Sequence, residues 1–516
     1  MKIREKITLE SSIKWFAALC TASLLFSLSP FTYFLYQPMM LLSVLLGTGL
    51  LLWIFLADRR VYRRPFFPVF LLFCVSYFVT ILLNRQSGFF SNCGQLVYTG
   101  FYFFIFFCVF SSLGDEARSA VLKLICRMVF VFSMAAALIS LGMMLANYHV
   151  EVPYQGTTVV LGFHQRNSGM QLNGVTSGPS ALSQLCLLGV FSAWYLFGRK
   201  EVRRLGLCVA SCVIYLFTIG AANAYSALIA MLAFSMLFSL CRSIGDTAKK
   251  KASRRGMEAT AQMLALCLFV TGSFYGTQRL ETAAVNGISQ AIYQHELKEA
   301  EKNQPSTPEQ PPEDEGQECP NEPVSPDGQP STPEQPKDEE QECPNEPEIP
   351  DDQHSTPEPP PEPPAEITIS RDVKTSANGS RSAIWKEGVK LFLAHPLGVT
   401  NNAISVKIFY GVPDYEYRNL HNGYLTLLTA SGIIGFALIL VFGIWFFIKA
   451  LRGLSICNDE EKRLLLSVLI ASCGAILAAD LVNGCFVLWR NLPYIFLWLL
   501  LGEICAQINE TSAKKE

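Results

Sequence analysis

The chain has 516 residues, of which 50% are hydrophobic and only 16% are charged, whereas soluble proteins carry about 25% charged residues. Its apolar residues occur in runs of about 18 to 25, the length that a helix needs to cross ~30 Å of hydrocarbon. This composition excludes a soluble enzyme and an ordinary nucleic-acid-binding protein. The net charge of −2 averages basic short loops with one acidic insert, so it indicates no partner.

Apolar runs predict an all-α, polytopic integral membrane protein with about 12 transmembrane helices. The runs lie at about 13–35, 38–57, 66–83, 96–113, 124–146, 179–197, 205–222, 224–241, 257–275, 423–448, 464–485 and 492–508. Most of the 16 Cys lie inside these runs, where a free Cys behaves as a small hydrophobic residue. No pair of Cys has a zinc-like spacing with His, so we predict no metal site and no cofactor.

The basic residues predict the orientation in the membrane. Most of the 41 Lys and Arg lie in alternate short loops, at 59–64, 199–204 and 249–255 among others. Because cytoplasmic loops are enriched in Lys and Arg, both termini are predicted to be cytoplasmic, in the cell (cytoplasmic) membrane. Two extracytoplasmic regions are then large enough to hold a site, 147–178 and about 276–422. All six His lie in these two regions, although membrane spans exclude His in any case.

The predicted spans divide the chain into three parts. These are an N-terminal membrane bundle at 1–275, a large extracytoplasmic loop at 276–422 and a C-terminal membrane bundle at 423–516. Within the loop, a Pro-rich insert is followed by a part, 370–422, whose composition predicts order. Any catalytic residues of the loop are therefore expected in that second part.

The insert, 301–366, holds 20 Asp and Glu and 19 of the 28 Pro, partly as a tandem repeat that begins STPEQP. It has too few apolar residues to bury a core, and Pro removes the backbone donors that a helix or sheet needs. We therefore predict a disordered, extended tether without a catalytic role. Each full repeat contains one Cys, Cys319 or Cys343, and these two either pair with each other or stay free.

The ordered part of the loop contains a predicted amphipathic helix and a residue pair at the start of a span. Apolar residues follow a helical period between 381 and 395, and Pro396 ends that helix. His421 and Asn422 stand immediately before the tenth span. Asn422 is a good N-cap, which would hold His421 at a helix start near the membrane boundary.

These segments resemble the O-antigen ligase and O-antigen polymerase superfamily. The resemblance lies in SRSAIWKEGV at 380–389 with HPLGV at 395–399, in HNGYLTLL at 421–428 with SGIIG at 431–435, and more weakly in LNGVTSGPSALS at 172–183. The ligase-like region would extend over about 165–500. The resemblance implies that two arginines and a histidine on the outer face act on glycans linked to a polyprenyl diphosphate. Arg381 matches one of the arginines and His421 matches the histidine.

At the position of the second family arginine, this chain has a different residue. Aligning ANAYSALIAM at 222–231 places Tyr225 at that position, and Gln171 stands where many relatives have an arginine. Arg166 and Arg490, both in outer loops, are therefore candidate substitutes at the diphosphate. Asp480, at the outer end of the eleventh span, is a candidate for orienting an outer Arg or His, as is Asn422.

The residue types suit glycan transfer from a lipid diphosphate. Negative charge grows on the diphosphate as its bond to the sugar breaks, and Arg offers bidentate donors and a permanent charge. A base must also take the proton of the incoming sugar hydroxyl, and His titrates in the required range. The predicted substrates are an undecaprenyl-diphosphate-linked glycan donor and a glycan, a lipid or wall anchor, or a protein as acceptor. The lipid bilayer is the remaining partner, and no nucleic acid is predicted.

Each candidate also has a purely structural interpretation. These are a snorkelling side chain for Arg381, a helix cap for His421, a turn residue for His395, a membrane-edge anchor for Arg490, a helix–helix hydrogen bond for Asp480 and an interfacial position for Glu503.

The sequence favours a metal-independent glycosyltransferase of surface polysaccharide biosynthesis, with its active site on the extracytoplasmic face. Two alternatives stay open, a transporter or exporter of a lipid-linked or small substrate and a non-catalytic member of the superfamily. Transporters tend to carry ionisable residues or broken helices at the midplane, and mid-span charges are nearly absent from this sequence.

Overall fold

Helices dominate the structure, a computed structural model that describes residues 2–57, 59–154, 157–166, 169–198, 202–245, 252–303, 381–404 and 420–513. Some side chains at the ends of these ranges, that of Arg166 among them, lie outside the description. Residues 304–380, with most of the Pro-rich insert and with Cys319 and Cys343, also lie outside it, so the predicted disorder of the insert stays a prediction.

The described ranges contain thirteen α-helices. They are α1 (Lys2–Phe26), α2 (Tyr33–Ala57), α3 (Phe67–Leu83), α4 (Phe89–Gly100), α5 (Asp115–Leu145), α6 (Pro179–Phe197), α7 (Val202–Ala222), α8 (Tyr225–Gly245), α9 (Ala252–Asn303), α10 (Arg381–Ala394), α11 (Gly423–Ile456), α12 (Glu460–Ala479) and α13 (Leu492–Ala513). Helix α4 continues through a π-helical segment, Phe101–Val109.

The lengths of these helices confirm the predicted fold class. Within the described residues, 11 helices are long and apolar enough to cross a membrane, and α3 is a shorter apolar helix of 17 residues that corresponds to the predicted third span. The protein is therefore a multi-pass α-helical membrane protein. Helix α9 continues to Asn303, well beyond the end predicted at 275.

A small sheet, which the sequence analysis did not predict, occupies the region between α5 and α6. It consists of three antiparallel strands in the order β1 (His149–Tyr154), β2 (Thr157–Arg166) and β3 (Gly169–Gly174). Strand β2 pairs with both neighbours, with a register irregularity at 162–163. The sheet is attached to α5 at its β3 end, where the amide of Val175 donates to the hydroxyl of Ser140 (3.2 Å).

Aromatic side chains hold the N-terminal and C-terminal helices together. The rings of Phe70 on α3 and Phe103 in the π-helical segment stack with their centroids 4.3 Å apart. Phe442 of α11 lies 4.9 Å from Phe70, and Trp498 of α13 lies 4.9 Å from Phe103. Every residue of the π-helical segment is buried, as expected for a segment that is apolar on all sides.

Helix α11 is broken at Gly432, where φ is 71° and ψ is −178°. The segment 396–400 satisfies the backbone groups that the break exposes. The amides of Val399 and Thr400 donate to the carbonyl oxygens of Thr429 and Ala430 (3.0 Å each), and the amide of Ile433 donates to that of Pro396 (2.9 Å). Irregular backbone of this kind is tolerated in a membrane protein only where protein groups or water satisfy it.

The same segment is attached to α3 and α4 by polar side chains. Thr80 Oγ1 donates to the carbonyl oxygen of Leu397 (2.9 Å), Asn84 Nδ2 to that of Gly398 (3.3 Å) and Asn92 Nδ2 to the hydroxyl of Thr400 (3.1 Å). The N-terminal part of α11, residues 423–431, is thereby joined to the N-terminal helices of the chain through the inserted segment.

The chain divides into two compact units, one formed by Met1–Ile288 with Glu366–Glu516 and the other by Ser289–Ala365. The described part of the second unit is the last portion of α9, to Asn303. All the candidate site residues belong to the first unit. The predicted three-part division of the chain stays a prediction.

Candidate active site

His421 lies at the start of the broken helix in a constrained backbone conformation. Its φ is 47°, a left-handed value that non-glycine residues adopt infrequently. Asn422 is the N-cap of α11, and its Oδ1 accepts hydrogen bonds from the amides of Tyr424 (3.1 Å) and Leu425 (2.9 Å). The imidazole is half-buried, with its Nε2 atom shielded from solvent. It therefore stands at the positive end of a helix dipole.

Asp480, just beyond the end of α12, lies against the start of α11. Its carbonyl oxygen accepts a hydrogen bond from the amide of Gly423 (2.7 Å), and a side chain at position 423 would collide with the carbonyl oxygen of Gly484. Asp480 Oδ1 accepts a hydrogen bond from the hydroxyl of Tyr494 (2.8 Å). Burial raises the pKa of Asp480 to about 7, although the hydrogen bond from Tyr494 opposes the shift. The structure therefore brings Asp480 and Asn422 to adjacent positions.

Helix α10, the predicted amphipathic helix, packs on the residue that precedes His421. Trp385 Nε1 donates a hydrogen bond to the carbonyl oxygen of Leu420 (2.9 Å). Gly388 lies so close to Leu420 that a Cβ there would stand 3.1 Å from its methyl groups. Arg381 is the first residue of α10 and is partly buried. The indole therefore attaches the helix that begins with Arg381 to the segment that presents His421.

An apolar cavity of about 350 Å³ extends between α6, α7, α8, α9, α12 and α13. Asp480 lies in its wall, as do Gln184, Ser235 and Ser472, while the other lining residues are almost all apolar. Asp480 therefore lies both in the wall of this cavity and against the start of α11. Its lining suits a hydrocarbon chain with a polar group near Asp480.

The two other predicted arginines lie in different surroundings. Arg490 donates a hydrogen bond to the sulfur of Met40 on α2 (2.8 Å), and its guanidinium lies 5.1 Å from the ring centroid of Tyr98 on α4. These contacts suit the anchoring interpretation of Arg490. Arg166 ends β2, and its side chain lies outside the described residues. The structure therefore does not show either arginine beside His421.

A buried polar cluster that was not predicted from the sequence lies where α7, α9 and β3 meet. Glu281 of α9 is only 2% exposed, and Gln278 of the same helix donates to Asn223 Oδ1 (2.9 Å). Gln171, noted above only for its alignment with a family arginine, donates through Nε2 to the carbonyl oxygen of Ala222 (3.1 Å). The sequence feature that could have revealed this cluster is a pair of polar residues one helical turn apart, Gln278 and Glu281, directly beyond the apolar run 257–275.

A model of the O-antigen ligase family matches residues 175–440, which is more than half of the chain. The chain belongs to the O-antigen ligase family. Family membership assigns it to surface polysaccharide synthesis, with a function of the O-antigen ligase or polymerase type. Such proteins use lipid-linked glycan donors and glycan acceptors in a membrane. No curated protein matches the chain.

The region that matches the O-antigen ligase family includes three of the predicted site residues. It begins directly after β3 and ends in α11, beyond the break at Gly432. Arg381, His421 and Asn422 therefore lie inside it, whereas Asp480 and Arg490 lie beyond its end. The broken half-helix that carries His421 is accordingly a part of the family region, and the apposed loop at 480–491 is not.

Proposed function

We propose that the protein transfers or polymerises glycan units from an undecaprenyl-diphosphate donor at the extracytoplasmic face of the cell membrane. The observation that carries the proposal is the constrained position of His421 at the N-terminus of α11, with α10 hydrogen-bonded to the residue before it. His421 is the proposed general base that takes the proton of the acceptor hydroxyl. The backbone of a helix N-terminus also favours a nearby anion such as a diphosphate.

Arg381 is the proposed cation for the donor diphosphate. The bond between the sugar and the diphosphate breaks as the acceptor oxygen attacks, and the negative charge that develops on the leaving diphosphate requires fixed donors. A guanidinium provides two parallel N–H groups and keeps its charge at every physiological pH. Arg166 and Arg490 remain candidate second cations, because Tyr225 occupies the position of the family arginine.

The apolar cavity is the proposed position of the isoprenoid chain. Its lining is almost entirely apolar, and Asp480 lies in the wall next to the start of α11. A lipid-linked donor placed there would have its hydrocarbon among α6, α8 and α13 and its diphosphate near the N-terminus of α11. Asp480 and Asn422 are proposed to orient the catalytic segment, Asn422 through its hydrogen bonds to the first turn of α11.

The test measures the surface glycan and the lipid-linked intermediates of a deletion strain that carries single variants. His421→Ala and Arg381→Ala are each expected to lower product formation at least 100-fold, the lower end of the usual contribution of a general base. His395→Ala and Lys386→Ala are the matched controls, since both residues are exposed and belong to or follow the same helix α10. Normal product from either test variant at normal protein level would contradict the role proposed for that residue.

The products also distinguish a polymerase from a ligase. Deletion of a polymerase would leave single lipid-linked units, whereas deletion of a ligase would leave long polymer on the lipid carrier. The same strains would show whether the acceptor is a glycan, a lipid or wall anchor, or a protein.

Transport of a lipid-linked substrate is the second candidate function, and the break in α11 at Gly432 favours it, since discontinuous helices often form transport sites. The sidedness of the accumulated intermediate separates the two functions. A strain that lacks a transporter would hold lipid-linked glycan on the cytoplasmic face, and one that lacks a transferase would hold it on the outer face.

A further inference from the structure

Helix α9 buries one short stripe although most of its surface is exposed. The buried residues of the stripe are Phe274, Thr277, Gln278, Glu281 and Val285, whose spacing places them on one face of the helix. The two ends of the stripe are apolar and its centre is polar. A polar centre in a buried helix face requires partners on the opposite element.

The opposite element is the C-terminal end of α7. Gln278 Nε2 donates to the carbonyl oxygen of Gly220 (3.3 Å) and to Asn223 Oδ1 (2.9 Å). Gly220 permits this approach because it has no side chain, and a Cβ built there would stand 3.3 Å from Glu281 Oε2. The carboxyl group of Glu281 therefore lies within one helical turn of the last carbonyl groups of α7.

Glu281 itself has no partner within the described residues. Both carboxyl oxygens are buried and accept no hydrogen bond there, and the residue is only 2% exposed. An ionised carboxylate buried in this way is strongly unfavourable unless a positive charge accompanies it. The geometry therefore requires a proton or another cation at Glu281.

Two helix termini of opposite partial charge lie near Glu281, the C-terminus of α7 and the N-terminus of α8. Helix α7 ends at Ala222, and the C-terminus of a helix carries a partial negative charge on its last carbonyl groups. The neighbouring elements carry several titratable groups, and three of them are His164, which pairs with Gln171 across β2 and β3, Tyr225 at the start of α8, and Arg279 on the exposed side of α9. Within the part of the chain that the structure describes, none of the three forms an ion pair with Glu281.

We propose that Glu281 and the carbonyl end of α7 form a binding site for a small monovalent cation, a sodium ion or a proton, which fastens α9 to α7. One carboxylate together with carbonyl oxygens suits a monovalent ion, whereas divalent ions usually take more than one carboxylate. Among the described residues no group of three or more His, Cys, Asp or Glu is close enough to hold a metal. The site stands independently of glycan transfer, because its effect is on the packing of α9.

The test is the thermal unfolding of the purified full-length protein in detergent. At alkaline pH, sodium chloride is compared with an equal concentration of N-methylglucamine chloride. In sodium-free buffer, the pH is then lowered to mildly acidic values. A cation that binds only the folded protein raises the Tm with its concentration. A rise of several degrees with sodium identifies a sodium ion, and a rise only with acidification that is larger in the wild type than in Glu281→Gln identifies a proton.

Glu281→Gln, which is neutral and of nearly the same size, is expected to fold, to lose the sodium dependence, and to keep only the part of the acid response that Asp480 contributes. Glu296→Gln is the matched control, since Glu296 is exposed on the same helix, and it should retain the wild-type response. Binding of radiolabelled sodium to the wild-type protein, with protons as competitor, tests the site without any variant. The proposal is overturned if the wild-type Tm responds to neither cation, or if Glu281→Gln responds as the wild type does.

Discussion

Replacing Arg118 with methionine is expected to destabilise the protein, because this arginine holds α13 against the start of α5. Its guanidinium is buried, and Nε donates to Glu503 Oε2 (2.9 Å) while Nη2 donates to Glu510 Oε1 (2.6 Å). Nη1 donates to the carbonyl oxygen of Leu113 (2.6 Å). Glu503, for which the sequence predicts an interfacial position near the inner end of its span, is only 5% exposed and is therefore a buried partner of this ion pair.

The expected loss of stability in Arg118→Met follows from how deeply each acidic partner of Arg118 is buried. The side chains of Asp115 and Glu510 are 71% and 39% exposed, so each pair contributes no more than about 1 kcal/mol. Loss of the buried partner leaves the Glu503 carboxylate uncompensated, which costs about 3–5 kcal/mol. The buried pair of Arg118 with Glu503 therefore accounts for most of the expected loss of stability. At about 2 °C per kcal/mol for a large chain, the Tm should fall by roughly 6–10 °C.

The assay is intrinsic-fluorescence unfolding of the purified protein in detergent. Arg127→Met is the control, since Arg127 is exposed on the same helix and its replacement should change the Tm little. The double variant Arg118→Met with Glu503→Leu should recover much of the loss, because it leaves no buried charge alone. Equal destabilisation by the single and double variants, or by Arg127→Met and Arg118→Met, would refute the reasoning.

Two further predictions concern the start and the break of α11. Gly432→Ala would place a side chain at a φ of 71° against the backbone of Leu397, so we expect the protein to lose more than about 2 kcal/mol of stability and to lose glycan product. Gly443→Ala, in the same helix with no neighbouring atom within 4 Å of its Cβ, should be neutral or slightly stabilising, and a similar loss in both variants would contradict the role of the break. Because the pKa of Asp480 is raised to about 7 in the folded protein, from about 3.9 when unfolded, its contribution to stability is complete below pH ~4 and is lost as the pH rises to about 7. The Tm of the wild type relative to Asp480→Asn should therefore fall over that interval, and a constant difference would be contrary to this assignment.

Several parts of the candidate site could be predicted from local sequence. The N-cap role of Asn422 follows from an amide side chain directly before an apolar run, and the end of α10 follows from Pro396. The resemblance of 380–399 and 421–435 to O-antigen ligases is confirmed at the level of the family. The catalytic role of His421 and the diphosphate-binding role of Arg381 remain predictions. The sheet at 149–174 was missed, because three short strands in a loop carry little signal beside the long apolar runs.

The partners of the polar residues could not be predicted. Asp480 meets Gly423, Arg490 meets Tyr98, and Glu281 meets the end of α7, in each case across a large separation in sequence. A single helical period shows which face of a helix is apolar but not which helix covers it. The break at Gly432 could not be predicted either. The glycine permits the left-handed conformation, but only the inserted segment 396–400 satisfies the freed backbone groups.

The sequence by itself determined that the chain crosses the membrane many times, because the length of each apolar run and the cost of unsatisfied backbone in hydrocarbon leave helices as the solution. It also determined the family, because the matched residues are contiguous and local. The tertiary structure alone decided which buried charges are paired. Arg118 and Glu503 lie 385 positions apart, and burial of a charge depends on the elements that pack around it rather than on its neighbours along the chain.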